Sequence, residues 1–149
     1  MYNETITLFN RYSNREGDSW YPTVIRGVNL NIDRAAIIAK YGGQSADSAV
    51  LNVHYLLEDG NKIVANKPWL PPKAWEEQTN DELETSLTFK GGNAFDFFYV
   101  GEWSDTAPIS DSDYNEGFYT YMNKRYDYVF AITSVGMYTV IPHFEILGK

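Results

Sequence analysis

Both ends of this chain alternate apolar and polar residues with a period of two. Towards the C-terminus Tyr138, Val140, Phe144 and Ile146 share one parity, and Thr139, His143 and Glu145 share the other. Near the N-terminus Ile6 and Leu8 alternate with Thr5, Thr7 and Phe9. That period sends alternate side chains to opposite faces of a sheet, so each end reads as a strand buried on one side. Chain ends fray unless a sheet or a docked helix holds them. A chain whose first and last residues both belong to strands points to a small closed or nearly closed β-module, and away from an open scaffold carrying catalytic loops.

The length of 149 residues fits a single domain spanning 1–149 with a substantial core. Aromatics make up 16% of the chain, with 12 Tyr, 8 Phe and 4 Trp, and such residues favour pleated, half-buried surfaces. Between the ends the pattern continues. Asn14-Arg15-Glu16-Gly17-Asp18 reads as a turn, Trp20-Tyr21-Pro22 leads into a second strand, and Val28, Leu30 and Ile32 alternate with Asn29, Asn31 and Asp33. The segment 34–41 reads as a bent continuation of that strand, with a helix as the alternative. Leu51, Val53, Tyr55 and Leu57 form the next apolar row, ending in the turn Glu58-Asp59-Gly60-Asn61. Asp-Gly between two such runs predicts a hairpin, because Gly accepts the positive φ the turn demands.

Trp69-Leu70 reads as a short strand ended by Pro71-Pro72, with one helical turn over 73–78. Leu87 and Phe89 around Thr88 read as a strand closed by Gly91-Gly92, and the aromatic segment 95–103 as strand or buried loop. One true helix is expected over about 114–126, where Tyr114, Phe118, Tyr121, Met122 and Arg125 recur at helical spacing. Ser112 or Asp113 is its expected cap, and Lys124 and Arg125 occupy its last turn. Two strands, 128–135 and 138–147, close the chain, with Gly136 between them. The expected fold is mainly β, a small antiparallel barrel or sandwich, with that helix inside an acidic and aromatic insert at about 75–123.

The net charge of −8 opposes nucleic-acid binding through a basic surface. Its distribution is uneven. Glu76 to Glu116 holds eleven acidic residues and one basic residue, Lys90, a balance of −10 that leaves +2 elsewhere. The densest part is Glu76, Glu77, Asp81, Glu82 and Glu84, five carboxylates within nine residues and no base among them. A solvated acidic face is one reading of that density, and a field with a function is the other.

Catalytic patterns are hard to assemble from this sequence. The chain has no Cys and no G-x-S-x-G, and its two histidines, His54 and His143, fall on the minority face of amphipathic strands. Two separated histidines without thiolates do not make the usual zinc set. Asp111 to Gly117 opens like a calcium loop, but the sixth and twelfth positions hold Glu116 and Met122 instead of Gly and Glu. Those carboxylates read better as a cluster at a helix N-terminus. Gly91-Gly92-Asn93 lacks the spacing and the Lys of a phosphate-binding loop. Trp20, Trp69, Trp75 and Trp103 read as core filling in preference to a sugar-stacking platform. No apolar run approaches a membrane span and polar residues follow Met1, so a soluble product without a secretion signal is expected.

Several stretches carry a resemblance. Glu4-Thr5-Ile6-Thr7-Leu8-Phe9-Asn10-Arg11-Tyr12 resembles the opening strand of small head–tail joining proteins of tailed bacteriophages. Asp47-Ser48-Ala49-Val50-Leu51-Asn52-Val53-His54-Tyr55 with the hairpin after it is similar to a later part of them. Ile132-Thr133-Ser134-Val135, and Pro142-His143-Phe144-Glu145-Ile146-Leu147-Gly148-Lys149, are similar to their closing strands. The whole chain also resembles phage and prophage proteins of Gram-positive, clostridia-like hosts. It departs from the simplest joining proteins in the length of its acidic insert. The resemblance implies a non-enzymatic virion protein, a β-barrel assembling as a homo-oligomeric ring between portal and tail that closes the filled head or adapts it to the tail. It implies portal, adaptor or tail proteins as partners, no cofactor, no membrane and no sequence-specific nucleic-acid binding. A tail-terminator, tail-tube or baseplate role is the alternative among structural proteins, and a carbohydrate-binding β-module is the alternative from another class.

Overall fold

β1 (Glu4–Asn14) and β2 (Gly17–Ile32) form a long antiparallel hairpin in which one residue is extra. Thr5 faces Arg26 and Glu4 faces Val28, so Gly27, at φ 71°, is bulged out of the ladder. A glycine bulge of this kind bends its strand. Past it, β2 pairs with β3 (Ala49–His54), from Asn29 opposite Asn52 to Ile32 opposite Ala49. β9 (Val129–Tyr138) makes the same switch. Its start pairs with β7 (Phe97–Val100), and from Ile132 it pairs with β10 (His143–Gly148) through a register shift at Thr133. Two strands that change sheet at a bend make corners. They close a six-stranded antiparallel barrel in the order β1-β7-β9-β10-β3-β2 and back to β1. The computed structural model describes residues 3–32 and 48–149, so the 34–41 expectation lies outside the described residues.

The barrel interior is filled from alternating positions, as the sequence predicts. Ile6 and Leu8, Ile25 and Val28, Leu51 and Val53, Phe98, Phe130 and Ile132, and Phe144 and Ile146 form one buried cluster. The last strand is held on both sides. Lys149 exchanges backbone hydrogen bonds with Ala131, and Ser48 donates to the Gly148 carbonyl.

The row 51–57 does not run straight on. Tyr55 turns its ring into the core against Phe144 at 5.1 Å, and its hydroxyl donates to the Tyr138 carbonyl at 2.9 Å. The chain then leaves the barrel for a three-stranded meander, β4 (Leu56–Glu58), β5 (Asn61–Val64) and β6 (Lys67–Trp69), so Leu57 is exposed. The predicted Asp59-Gly60 turn is present with both residues at positive φ, 51° and 83°. Ala65 and Asn66, at 52° and 63°, make the same turn without a glycine.

The final hairpin also differs from expectation. β9 runs through Gly136 to Tyr138, which pairs with His143, and residues 139–142 form the loop. Tyr138 and Val140 are therefore solvent-exposed, although Phe144 and Ile146 of the same parity are buried.

After β6 come α1 (Pro72–Glu76), matching the expected helical turn, and α2 (Asn80–Glu84), which was not expected. α2 starts on a reciprocal cap between Thr79 and Glu82. The predicted strand at 87–89 is instead an extended segment with every residue from Ser86 to Lys90 buried, joined to β6 by one parallel bridge between Leu87 and Trp69. It lies under cover on both sides, which removes the alternation a half-buried strand would have. β8 (Ile109–Ser110) pairs with β2, and a single 3-10 turn, Asp111–Asp113, follows it. The expected helix is α3 (Phe118–Arg125), shorter at its start than the spacing predicts, with Gly117 in the cap position. Tyr114 still packs against Phe118 and Tyr121, which is why its spacing looks helical.

Candidate functional site: the acidic insert and two exposed surfaces

The expected insert at 75–123 contains the barrel strand β7, and its parts on either side of that strand are fastened to the outward side of β1. Phe9, on the parity that carries Thr5 and Thr7, is fully buried among Phe97, Trp103 and Phe118. Thr7 donates to the Gly101 carbonyl at 2.8 Å and accepts from the Trp103 N–H at 3.0 Å. Asn10 donates to the Thr88 carbonyl and to Asp96 Oδ2, at 2.7 and 2.8 Å. Trp20 and Trp75 are buried and Trp69 and Trp103 half-buried, in agreement with core filling.

Asp96 is the hub of this attachment. It is fully buried and also accepts the backbone N–H groups of Arg11 and Lys90, each at 2.8 Å. Burial pushes its carboxyl up to about 7, while the Lys90 charge and the donors from Arg11, Asn10 and Lys90 pull the other way. The Lys90 ammonium lies 3.7 Å from Asp96 Oδ1, donates to the Arg11 carbonyl, and reaches Glu76 at 3.0 Å. It also lies over the Trp75 ring at 5.1 Å.

The five carboxylates singled out by density all lie on the exposed faces of α1, α2 and their ends, but they do not share one role. Glu76 is ion-paired with Lys90. Glu82 accepts the Thr79 N–H at 3.2 Å and its hydroxyl at 3.0 Å in the helix cap. Glu84 borders a cleft of about 570 Å³ with Thr23, Arg26, Lys67 and Glu102. There Lys67 donates to Thr23 Oγ1 at 2.9 Å, and burial lowers its pKa while Glu84 opposes that shift. Glu77 and Asp81 are simply exposed.

Most other acids of the insert also have partners. Glu102 pairs with Arg26 at 2.7 Å, and Glu116 pairs with Lys124. Asp105 accepts the Ala107 N–H at 2.9 Å. Asp111 Oδ1 accepts both the Trp20 indole N–H and the Phe118 N–H at 2.8 Å. The failed calcium motif is thus a helix-start anchor, set by Asp111 where Ser112 or Asp113 was expected. Among the described residues no group of three or more His, Asp and Glu is placed to hold a metal. His54 and His143, separate in sequence, face each other across the β3–β10 ladder.

Two exposed surfaces, one apolar and one lined by tyrosines and charged residues, have no counterpart in the sequence reading. The first joins the β9–β10 tip to β4. Val140 is 97% exposed, Leu56 67%, Ile141 66% and Leu57 63%, with Met137 and Tyr138 beside them. Tyr55, immediately before Leu56, donates its N–H to the Pro142 carbonyl, which brings the start of β4 beside the end of that loop. Among the described residues β4 pairs only with β5, and Leu56, Leu57 and Glu58 are all exposed. The second surface is a groove of about 340 Å³ on α3, lined by Tyr114, Asn115, Glu116, Tyr121, Lys124 and Arg125. Tyr114 and Tyr121 lie 4.7 Å apart, and the Arg125 guanidinium sits 6.0 Å from the Tyr121 ring.

These features define a small closed β-barrel with an anchored, acid-rich insert and exposed apolar ends. The chain belongs to a family described as a family of unknown function, DUF6751, whose model matches residues 1–149. No curated protein and no solved structure matches it.

Proposed function

We propose that this protein is a non-enzymatic structural component of a tailed-phage or prophage virion, a head–tail connector or head-closure subunit acting in a homo-oligomeric ring. The observation that carries the reading is the apolar end at Leu56, Leu57, Val140 and Ile141. Contiguous exposed patches of roughly 300–600 Å² on a monomer are often functional, and larger ones rimmed by polar residues mark protein–protein or other interaction sites. The closed barrel supports the reading as well, since it is the architecture the resemblance implies. In a ring, exposed carboxylates such as Glu77 and Asp81 would face the DNA path and repel phosphates, so that DNA slides without sticking.

The test is deletion of the gene from an inducible prophage that carries it, followed by separation of the particles on a gradient. The expected result is DNA-filled or leaking heads and separate tails, restored to joined particles by the gene in trans, with the protein found in purified virions. Normal infectious particles from the deletion strain, or virions lacking the protein, overturn the reading.

A further inference from the structure

Two opposite charges share one cleft without closing on each other. The cleft of about 570 Å³ lies where segments far apart in sequence meet. These are β2 at 22–26, the β5–β6 turn with Lys67, Glu84 at the end of α2, and the loop 102–106 after β7. Its volume falls in the range of small-molecule sites, roughly 300–1,000 Å³. The charged residues of its wall are Arg26, Lys67, Glu84 and Glu102, two of each sign. Arg26 and Glu102 are paired at 2.7 Å. Lys67 and Glu84 are not. Among the described residues neither has an ion-pair partner within 4.0 Å, and Lys67 donates once, to Thr23 Oγ1 at 2.9 Å. Burial lowers the Lys67 pKa and the Glu84 charge opposes that shift, so the two groups are near enough to interact.

Lys67 is held in the cleft by a turn that its residue types do not favour. Ala65 and Asn66 stand at φ 52° and 63°, and Ala65 itself lines the cleft. A left-handed alanine is strained where a glycine would not be, and such strain collects at binding sites. The turn sets Lys67 opposite Val64 and lets its ammonium reach the buried Thr23. An ammonium carries three donors, of which the described chain uses one, and the Thr23 hydroxyl keeps its own hydrogen to donate. A carboxylate takes up such donors in charge-assisted bonds. Phosphate is a poorer match, because its second charge would meet Glu84 and Glu102 in a wall of zero formal charge. A ligand with one charge of each sign satisfies both unpaired groups.

We infer that this cleft binds a small zwitterion, an amino acid, whose carboxylate accepts from Lys67 and Thr23 while its ammonium donates to Glu84. The inference is independent of the assembly reading above.

The test is heteronuclear NMR on the full, isotopically labelled chain with four probes. Glycine and 4-aminobutyrate carry both charges at short and long separation, whereas acetate and methylammonium carry one charge each. Saturable shifts are expected at the amides of residues 23–26, 65–67, 84 and 102–106 with at least one zwitterion, which should bind about tenfold or more tighter than either single-charge probe. The tighter of the two zwitterions reports the separation the site prefers. Glu84→Gln, at an exposed position, should weaken binding about tenfold with an unchanged unfolding midpoint, and Lys67→Gln should weaken it at least as much. Should Lys67→Gln fail to fold, Glu84→Gln decides alone. No saturable shift with either zwitterion up to about 50 mM, acetate binding as tightly as both zwitterions, or full affinity in Glu84→Gln would each overturn the inference.

Discussion

The barrel and the insert are built on different principles, although they share β1 and β7. In the barrel, position is set mainly by pattern: alternating residues enter a common apolar interior. In the insert, position is set by individual anchors. Short helices of five and eight residues, too short to be stable alone, are tied to the barrel by Asp96, Asp111, Thr7 and Asn10 and sealed by aromatic rings. The two regions therefore use charge differently. The described barrel strands bury no ionisable acid, whereas the insert buries Asp96 against Lys90 and engages several of its exposed acids with nearby bases or N–H groups. A charge count along the sequence overstates the free field of the insert for that reason.

The difference can be broken first at the barrel seam. Removing residues 144–149 deletes Phe144 and Ile146 and the β10 bonds to both β3 and β9, so the barrel cannot close. The truncated chain is expected to lose its cooperative thermal transition, as seen by circular dichroism and calorimetry. A preserved transition would show that β10 is dispensable.

The next largest effect is expected at the insert's hub. Asp96→Ala leaves the Arg11 and Lys90 N–H groups and the Lys90 charge without their partner, at a cost of about 3–5 kcal/mol in urea unfolding. Its pH dependence sharpens the comparison. Because burial raises the folded-state pKa to about 7 from an ordinary value of 3.8, the folded state binds the proton more tightly than the unfolded state. Asp96 thus contributes most to stability below pH 3.8, and that contribution falls as pH rises through about 7. The stability gap between wild type and Asp96→Asn should narrow over that range. A gap that widens with pH would contradict the assignment of desolvation as the dominant influence.

Smaller effects separate the turns of the two regions. At Gly117, φ is 90° and a β-carbon would approach the Asp111 carboxylate at 3.2 Å, so Gly117→Ala combines strain with disturbance of an anchor. At Gly60, φ is 83° and a β-carbon would meet nothing within 4 Å, so Gly60→Val introduces backbone strain alone. Each is expected to cost on the order of 1–3 kcal/mol, with Gly117→Ala the larger, measured by chemical denaturation. A reversed order would mean that the Asp111 cap contributes little.

The same contrast explains what the sequence made legible. The barrel strands, the Asp59-Gly60 hairpin and the aromatic helix follow from local periodicity and turn chemistry. The Ala65-Asn66 turn could not be found that way, because no glycine marks it. Leu87 and Phe89 around Thr88 show a strand's alternation, yet every residue from Ser86 to Lys90 is buried and a single bridge joins the segment to β6. α2 does carry a local signal, the Thr79–Glu82 spacing, which the density of surrounding carboxylates obscures. Phe9 on a polar parity was the sequence's one hint that β1 is covered on both faces. The uncovered tip was missed because Gly136 looked like the turn, and the true loop at 139–142 lies past it. Nothing local distinguishes Asp96 or Asp111 from Glu77 and Asp81, since their roles depend on residues roughly eighty to ninety positions away, Asn10, Arg11 and Trp20.

The central claim is that the insert's acids divide into internal anchors and surface charges. It is tested most directly by two double variants that each replace two carboxyl groups by amides, Asp96→Asn with Asp111→Asn, and Glu77→Gln with Asp81→Asn, compared by denaturant unfolding at neutral pH. The anchored pair should lose more than about 3 kcal/mol, because at position 96 the amide donor would face an N–H group that the carboxylate now accepts, and at position 111 a neutral acceptor would replace the carboxylate that holds Trp20 and Phe118. The surface pair should change by less than about 1 kcal/mol. Equal losses in the two variants, or a larger loss in the surface pair, would contradict the division.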